Sequence, residues 1–582
     1  MSFTPDTWSK SLPDAWKNSR AGERIGSFLD GERKNALPMY KDKPSGFYPS
    51  RARPRQQNRR IAIGILALLA LVSWWSGFLS PISSMSRQDE SLTKWHPFGK
   101  VADWPSRAEK VKEVFKLSFA DYEKHSWGDD EYHPMAKTGR KMTPKGLGWI
   151  IVDALDTMML MNLTTELGHA RKWIKHDLNY DQDHDVNTFE TTIRMLGGLL
   201  SAHYLSTSFG GRYGATDDLF GQDLYIEKAT ELADRLMSAF NSKTGVPYAS
   251  VNLHTMKGIP SHADGGASST AEATSLQLEF KYLAKLTGEE VYWRKAEHVM
   301  KVIDDNHSKD GLVPIFIYAD LGVFRGDNIR LGSRGDSYYE YLIKQYLQTS
   351  KQEPVYLDMW KESLAGIKKD LLTYSYPNNF TVLAERPDGL NNELSPKMDH
   401  LVCFLPGTIA LAATNGSTLE EARRKPGWGP EQEENMQLAE DLMRTCWGMY
   451  AVTPTGLAGE ITYFQIHQPP LMYNDFEPGD RPRAPEKISI GLEDFEIRPA
   501  DAHNLQRPET AESLFYMWRI TGDDKYRQWG WKMFESFVTH TATSDGLGFS
   551  SVNDVLQVPP PTRDNMESFW LVSFPSGSHR VG

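Results

Sequence analysis

Cysteine is almost missing from this chain: there are two in 582 residues, Cys403 and Cys446. That excludes a scaffold stapled by many disulfides and leaves room for one bridge, with two buried free thiols as the alternative. Net positive charge is confined to the N-terminus. Residues 1–60 carry +7, the whole chain −11, and residues 61–582 therefore −18. A domain that acidic offers nucleic acid no partner surface. Charge of either sign is absent from IAIGILALLALVSWWSGFL, Ile61 to Leu79.

As a helix this run would be roughly 28 Å long, enough to cross a bilayer core. Trp74 and Trp75 stand near one end, where interfacial aromatics are favoured. Arg51, Arg53, Arg55, Arg59 and Arg60 precede it and orient the N-terminus to the cytoplasm. The expected organisation is a type II membrane protein. Residues 1–60 form a basic disordered tail, 61–79 the transmembrane helix, 80–103 a lumenal stem, 104–570 the globular domain, and 571–582 a Ser/Gly/Pro-rich tail. An oxidising lumen suits a Cys403–Cys446 bridge, which would close a loop of about 43 residues. The sequons at Asn162, Asn306, Asn379 and Asn415 suit the same side.

The domain repeats itself loosely. LTGEEVYWRKAEHVM from Leu286 and ITGDDKYRQWGWKMF from Ile520 share a Thr-Gly-acid turn and an aromatic helix, with a weaker copy from Phe220. Gly turns followed by short extended stretches recur at Thr244, Asp310, Thr455 and Asp545. Helical hairpins that must bury apolar faces on both sides can close into a ring. The expected class is all-α, an (α/α) barrel with short β-hairpins at one end.

Three acids begin separate amphipathic helices: Glu190 in VNTFETTIRMLGGLLSAHYL, Asp336 in LGSRGDSYYEYLIKQYL, and Glu509 in NLQRPETAESLFYMWRI. One carboxylate at a helix start is usually a cap or a dipole partner, and Asn187, Thr188, Asp336 itself and Pro508 are the capping candidates. Each acid also has an arginine close in sequence: Arg194, Arg334 and Arg507. Acids and guanidinium groups gathered at one end of a helical domain make a pocket suited to hydroxyl recognition, the chemistry of a sugar site.

Together with GWIIVDALDTMMLM, STAEATSLQLEFKYL and HLVCFLPGTIAL, in this order, these segments resemble the family-47 glycoside hydrolases, the class I α-1,2-mannosidases. The likeness runs from about Lys110 to Trp570. It implies an (α/α)7 barrel, Ca2+ dependence, and inverting hydrolysis of terminal α-1,2-linked mannose on high-mannose N-glycans. By the same resemblance Glu190 is the general acid, Asp336 a carboxylate holding water, and Glu509 the general base, with Glu190 and Asp336 able to exchange roles. Inversion needs the two carboxyls roughly 6.5–9.5 Å apart with water between them.

Arg194, Glu272, Arg334, His400, Arg507 and Phe569 fall on positions that resemble the family's substrate site. Glu340 and Glu512 follow one turn after catalytic positions, and Glu460 follows Gly459 where the family has Pro-Glu. The RGDSYYEY and HLVCFLPG segments are similar to those of the endoplasmic-reticulum members, so Arg334 is expected to select one glycan branch and to limit trimming of a nine-mannose glycan to one mannose. Cys403 and Cys446 match the family's disulfide. Asp153 and Asp156 are expected to bond backbone groups.

The likeness stops at MESFWLVSFPSGSHRVG. A last barrel helix and a calcium-binding Thr are what the resemblance implies there, and neither is recognisable, so no metal ligand is named. That departure keeps a second expectation open, a catalytically weak glycan-binding protein in glycoprotein degradation. The expected setting is the endoplasmic-reticulum or early Golgi membrane, with a monomeric lumenal domain.

Overall fold

The computed structural model describes residues 103–208 and 222–571. The basic tail, the apolar run Ile61–Leu79, the stem up to residue 102 and the tail beyond Leu571 lie outside the described residues.

Twelve α-helices of ten residues or more are present there. They are α1 (Trp104–Ser126), α2 (Thr164–His176), α3 (Gly197–Ser208), α4 (Gln222–Leu236), α5 (Gln277–Thr287), α6 (Glu290–Asp304), α7 (Asp336–Gln348), α8 (Pro354–Gly366), α9 (Leu405–Thr414), α10 (Pro430–Ala451), α11 (Glu509–Thr521) and α12 (Asp524–Thr541). The first shows how local sequence sets them. Asp103 caps α1 by accepting from the Ser106 N–H at 3.2 Å, and Pro105 sits in the first turn. Val111, Val114, Phe115, Ser118, Phe119 and Tyr122 then follow the helical period and are buried.

Consecutive helices pair as hairpins: α3 with α4, α5 with α6, α7 with α8, α9 with α10, and α11 with α12. The Thr-Gly-acid repeats are the turns of two of these. Gly288 and Gly522 end α5 and α11 in the left-handed region, at φ 78° and 73°, which a Cβ would strain. The first helices of the hairpins also touch in order, α3 to α5, α5 to α7, α7 to α9 and α9 to α11. They form one contacting series, termed the inner series, with their hairpin partners beside it. The stretch His400–Arg423 has the length and apolarity to cross a bilayer, but its helix α9 packs between α10 and α11 as core.

Short antiparallel sheets lie between the helices, and all four Gly turns lead into strands, at Ser250–Asn252, Phe316–Tyr318, Ile461–Phe464 and Ser551–Val552. In three sheets the first strand runs straight into an inner helical segment. Asp185–Asn187 precedes Thr188–Glu190, Ala267–Ser269 precedes Thr270–Thr274, and Lys397–Asp399 precedes the turn His400–Phe404 that opens α9. Strand pairing thus fixes where each of these inner segments begins.

Cys403 and Cys446 are joined as a disulfide, tying the start of α9 to α10. Of the sequons, Asn162 and Asn415 are exposed, while the Asn306 side-chain amide donates to the Val302 and Gly322 carbonyls. Replacing both cysteines by serine is expected to cost up to about 4 kcal/mol, from the loop-closure entropy of the unfolded chain. A thermal melt of the double variant against the parent protein checks this, and an unchanged melting temperature would contradict it.

Candidate active site

The three acids stand where the N-termini of inner helical segments meet. Asn187 caps the first segment, its Oδ1 accepting from the Glu190 N–H at 2.7 Å. Its Nδ2 donates to Glu272 Oε2 at 3.3 Å, so one asparagine caps the Glu190 segment and binds the Glu272 carboxylate. Glu272 has the same position in its own segment, three residues after the cap Ser269. A π-helical turn, Thr191–Leu196, follows Glu190 and leads into α3. There Gly198 lets two backbones approach, since a Cβ would lie 2.7 Å from the Val152 carbonyl oxygen.

Asp336 is the first residue of α7 and Glu509 the first of α11, preceded by Gly335 and Pro508 as the caps. Asp336 Oδ1 accepts from the Ser337 N–H at 2.8 Å. Orphan N–H groups and the positive end of the helix dipole favour carboxylates at such positions.

Cations thread between the acids. Arg194 donates from Nε to Glu190 Oε2 at 2.8 Å and from Nη1 to Ser568 Oγ at 2.8 Å, with Cζ 5.3 Å from the Trp149 ring and 5.2 Å from Phe569. Asp153 accepts from Ser568 Oγ, and Asp156 from Ser201 Oγ at 2.9 Å. Asp153 therefore serves a side chain, where a backbone partner was expected. Arg507 donates from Nε to Glu460 Oε1 at 2.6 Å. Lys344 bridges Glu340 and Glu512, donating to the latter at 2.8 Å. Arg334 reaches Asp264 Oδ2 at 3.0 Å.

His400 does not line the pocket. It is 2% exposed, and its Nδ1 lies 3.1 Å from Glu509 Oε2. A carboxylate only accepts, so Nδ1 carries the proton of this bond. Tyr450 Oη at 2.7 Å and Thr510 Oγ1 at 3.2 Å face Nε2 and hold the ring. His400 is a positioning residue for Glu509.

The environments separate the acids. Burial pushes Asp336 up to about 8, reinforced by Glu340, Glu509 and Asp399 against the Ser337 N–H. Burial, then the nearby Glu190, pushes Glu272 up to about 7. Burial also works to raise Glu509, but the hydrogen bond and charge of His400, with Arg507, outweigh it and hold this carboxyl below its ordinary range. One acid of the network keeps its proton at neutral pH while another stays ionised.

An apolar cleft lined by Trp104, Val111, Leu514, Phe515, Trp518 and Phe534 contains none of these residues. The site residues singled out in the sequence fall into local groups: Glu190 with Arg194 and Phe569, Glu509 with His400, Glu460 with Arg507, Glu340 with Glu512 through Lys344, and Arg334 with Asp264. Lys344, Tyr450 and Ser568 join the acid network without any sequence signal that marked them, Asn187 joins it from a cap position that the sequence did mark, and Asp264 stands outside it as the partner of Arg334.

Residues 114–573 match glycosyl hydrolase family 47. The chain belongs to this family. It is 48% identical over 481 residues to a mannosyl-oligosaccharide 1,2-alpha-mannosidase of Candida albicans, covering 81% of this chain and 79% of that one. It is 43% identical to an endoplasmic reticulum mannosyl-oligosaccharide 1,2-alpha-mannosidase of Saccharomyces cerevisiae, covering 80% and 84%. Among solved structures, an alpha-1,2-mannosidase from Trichoderma reesei superposes with a TM-score of 0.70 at 25% identity, covering 82% of this chain and 93% of that one.

Family-47 membership raises the question of calcium. Among the described residues no group of three His, Cys, Asp or Glu side chains is placed to hold a metal directly. Glu340 and Glu512, which offer hard oxygen donors, are bridged by the Lys344 ammonium. These residues do not fit as a direct calcium site, and no catalytic step below passes through the metal.

A His400→Gln variant tests the positioning role. Losing the ring's hydrogen bond and charge lets the Glu509 carboxyl rise, so the acid limb of the kcat/KM profile moves to higher pH, with a fall of roughly tenfold or more at neutral pH. An unmoved acid limb in a folded variant would refute that role.

Proposed function

We propose that this protein is a glycosidase that removes terminal α-1,2-linked mannose from high-mannose N-glycans with inversion. The observation that carries this is the unlike setting of two acids at inner helix starts, Glu509 bonded to His400 and pulled below its ordinary range, Asp336 buried among other acids and pushed above it, in a chain of the mannosidase family. An inverting hydrolase needs that pair: a base that takes a proton from water as its oxygen attacks the anomeric carbon, and an acid that protonates the departing glycosidic oxygen. Glu509 is the base, held ionised by His400 and Arg507.

Proton donation falls to Glu190 or Asp336. Burial stores a proton on Asp336, whereas Glu190 is paired with Arg194. Arg194, Arg507 and Glu272 present donors and acceptors for sugar hydroxyls, and Phe569 offers a ring for stacking. Arg334, paired with Asp264, is assigned the admission of one branch of the substrate.

The order of hairpin contacts supports the (α/α)7 barrel, and the intact acid network supports an enzyme over a glycan-binding relative. The relatives' names support an endoplasmic-reticulum setting. Anchoring through Ile61–Leu79 with a lumenal domain, a monomeric state and a requirement for Ca2+ belong to the same proposal, the last resting on the family resemblance. Turnover in chelator and in added Ca2+ tests this: loss with recovery would show Ca2+ held through groups other than Glu340 and Glu512, and full turnover in chelator would remove calcium from the reading.

Glu190→Gln, Asp336→Asn and Glu509→Gln should each lower kcat by about 10²- to 10⁴-fold with the fold intact. Turnover within a few-fold of the parent protein at any one position would remove that residue from the trio. If Asp336 is the donor, the alkaline limb of the residual Glu190→Gln activity stays in place; if Glu190 is, the limb is lost. Arg334→Leu should allow mannoses on other branches to be removed, and a single unchanged product isomer would end its assignment as selector.

A further inference from the structure

Arg334 is built in, and its supports come from several elements. Its backbone lies in the left-handed region at φ 74°, unfavourable for a residue with a Cβ. Neighbours hold it there: the Arg334 carbonyl accepts from the Ala271 N–H at 2.9 Å, the Ser333 N–H donates to Asp399 Oδ2 at 3.1 Å, and Arg330 Nε donates to the Ser333 carbonyl at 2.7 Å. The side chain is held separately. Asp264, between the strands Lys257–Ile259 and Ala267–Ser269, accepts from Arg334 Nη1 at 3.0 Å and from Ser261 Oγ at 2.7 Å, both on Oδ2. The Asp264 carbonyl accepts from Arg325. Arg334 Cζ lies 4.9 Å and Arg325 Cζ 5.5 Å from the centre of the Phe316 ring. The Asp264 and Arg334 charges both act on Glu272, so the assembly borders the acid network.

We infer that Asp264 and Phe316 are specificity-positioning residues: they fix the Arg334 guanidinium at the angle at which it discriminates between mannose branches. The inference rests on Arg334 being the selector. Asp264 supplies a directional charged hydrogen bond and Phe316 a flat apolar surface, leaving the rest of the planar fork free for sugar oxygens. An arginine held by backbone contacts alone would keep its charge but lose a single side-chain orientation, and discrimination depends on that orientation. Neither residue touches Glu190, Asp336 or Glu509, so bond cleavage itself should be indifferent to them.

The test uses the full chain with two substrates, a nine-mannose glycan and the unbranched α-1,2-linked mannose disaccharide. The variants are Asp264→Asn, Phe316→Leu, Arg334→Leu and the double variant Asp264→Asn with Arg334→Leu. Asp264→Asn and Phe316→Leu should leave kcat on the disaccharide within a few-fold of the parent protein, raise KM for the glycan by roughly tenfold, and yield more than one product isomer. The double variant should match Arg334→Leu alone in isomer distribution. If Arg334→Leu itself leaves the isomer unchanged, the selector reading fails. If it broadens the products while Asp264→Asn and Phe316→Leu keep one isomer, the positioning inference is overturned. Further broadening in the double variant would overturn it too, since Asp264 would then act without Arg334. A general loss of kcat on both substrates in both single variants would assign these residues to stability instead.

Discussion

The structure depends on one electrostatic constraint: several carboxylates are held within reach of one another and partly out of water. Each costs several kcal/mol to desolvate, and like charges at close range raise the cost further. Helix N-termini return about 0.3–2 kcal/mol per carboxylate, which lowers this cost without cancelling it. The remainder is met in two ways. Arg194, Arg507 and Lys344 each pair directly with acids of the network. Where cations run short, protons take their place, as the upward displacement of Asp336 and Glu272 indicates.

The same constraint makes two similar residues chemically opposite. Asp336 and Glu509 each open an inner helix and each is half-buried. Burial pushes both upward. The difference is tertiary: Glu509 has a histidine fixed by Tyr450 and feels the charge of Arg507, while Arg334, equally two residues before Asp336, turns to Asp264 and leaves Asp336 other acids for company. A base and a proton store therefore arise from the neighbours, with the helix position held constant. Charge compensation and catalytic poise are here one arrangement.

This explains which parts could be read from the sequence. Apolar period, Gly turns and acids in first turns are local features, so the helices, the strand positions and the carboxylate trio were legible. The Thr-Gly-acid repeats marked the ends of α5 and α11 because a left-handed cap is a one-residue property. Long-range partners were not legible. Asn187 looks like an ordinary cap until Glu272, 85 residues away, comes to its other end. Ser568 meets Asp153 and Arg194 only through tertiary packing. His400 was assigned to the sugar, yet a histidine beside a pocket and one a layer beneath it have the same sequence signature. The π-helical turn after Glu190 left no compositional mark.

Chemistry and selection are carried by different kinds of backbone, and this has a physical basis. The acids sit on inner helix starts held by packing between hairpins, that of Glu190 directly after a paired strand, where a displacement would disturb neighbouring helices. Arg334 and Asp264 sit on connections between elements, and their geometry is set by a few named bonds. Gly332 and Gly335 confine the Arg334 segment, since a Cβ at the first would lie 2.4 Å from Asp399 Oδ2 and at the second 2.0 Å from the Arg330 carbonyl oxygen. Such a loop is rigid in place yet separable from the acids in its side-chain contacts. Loop contacts can therefore change which branch is presented while the attack of water and the departure of the sugar stay the same.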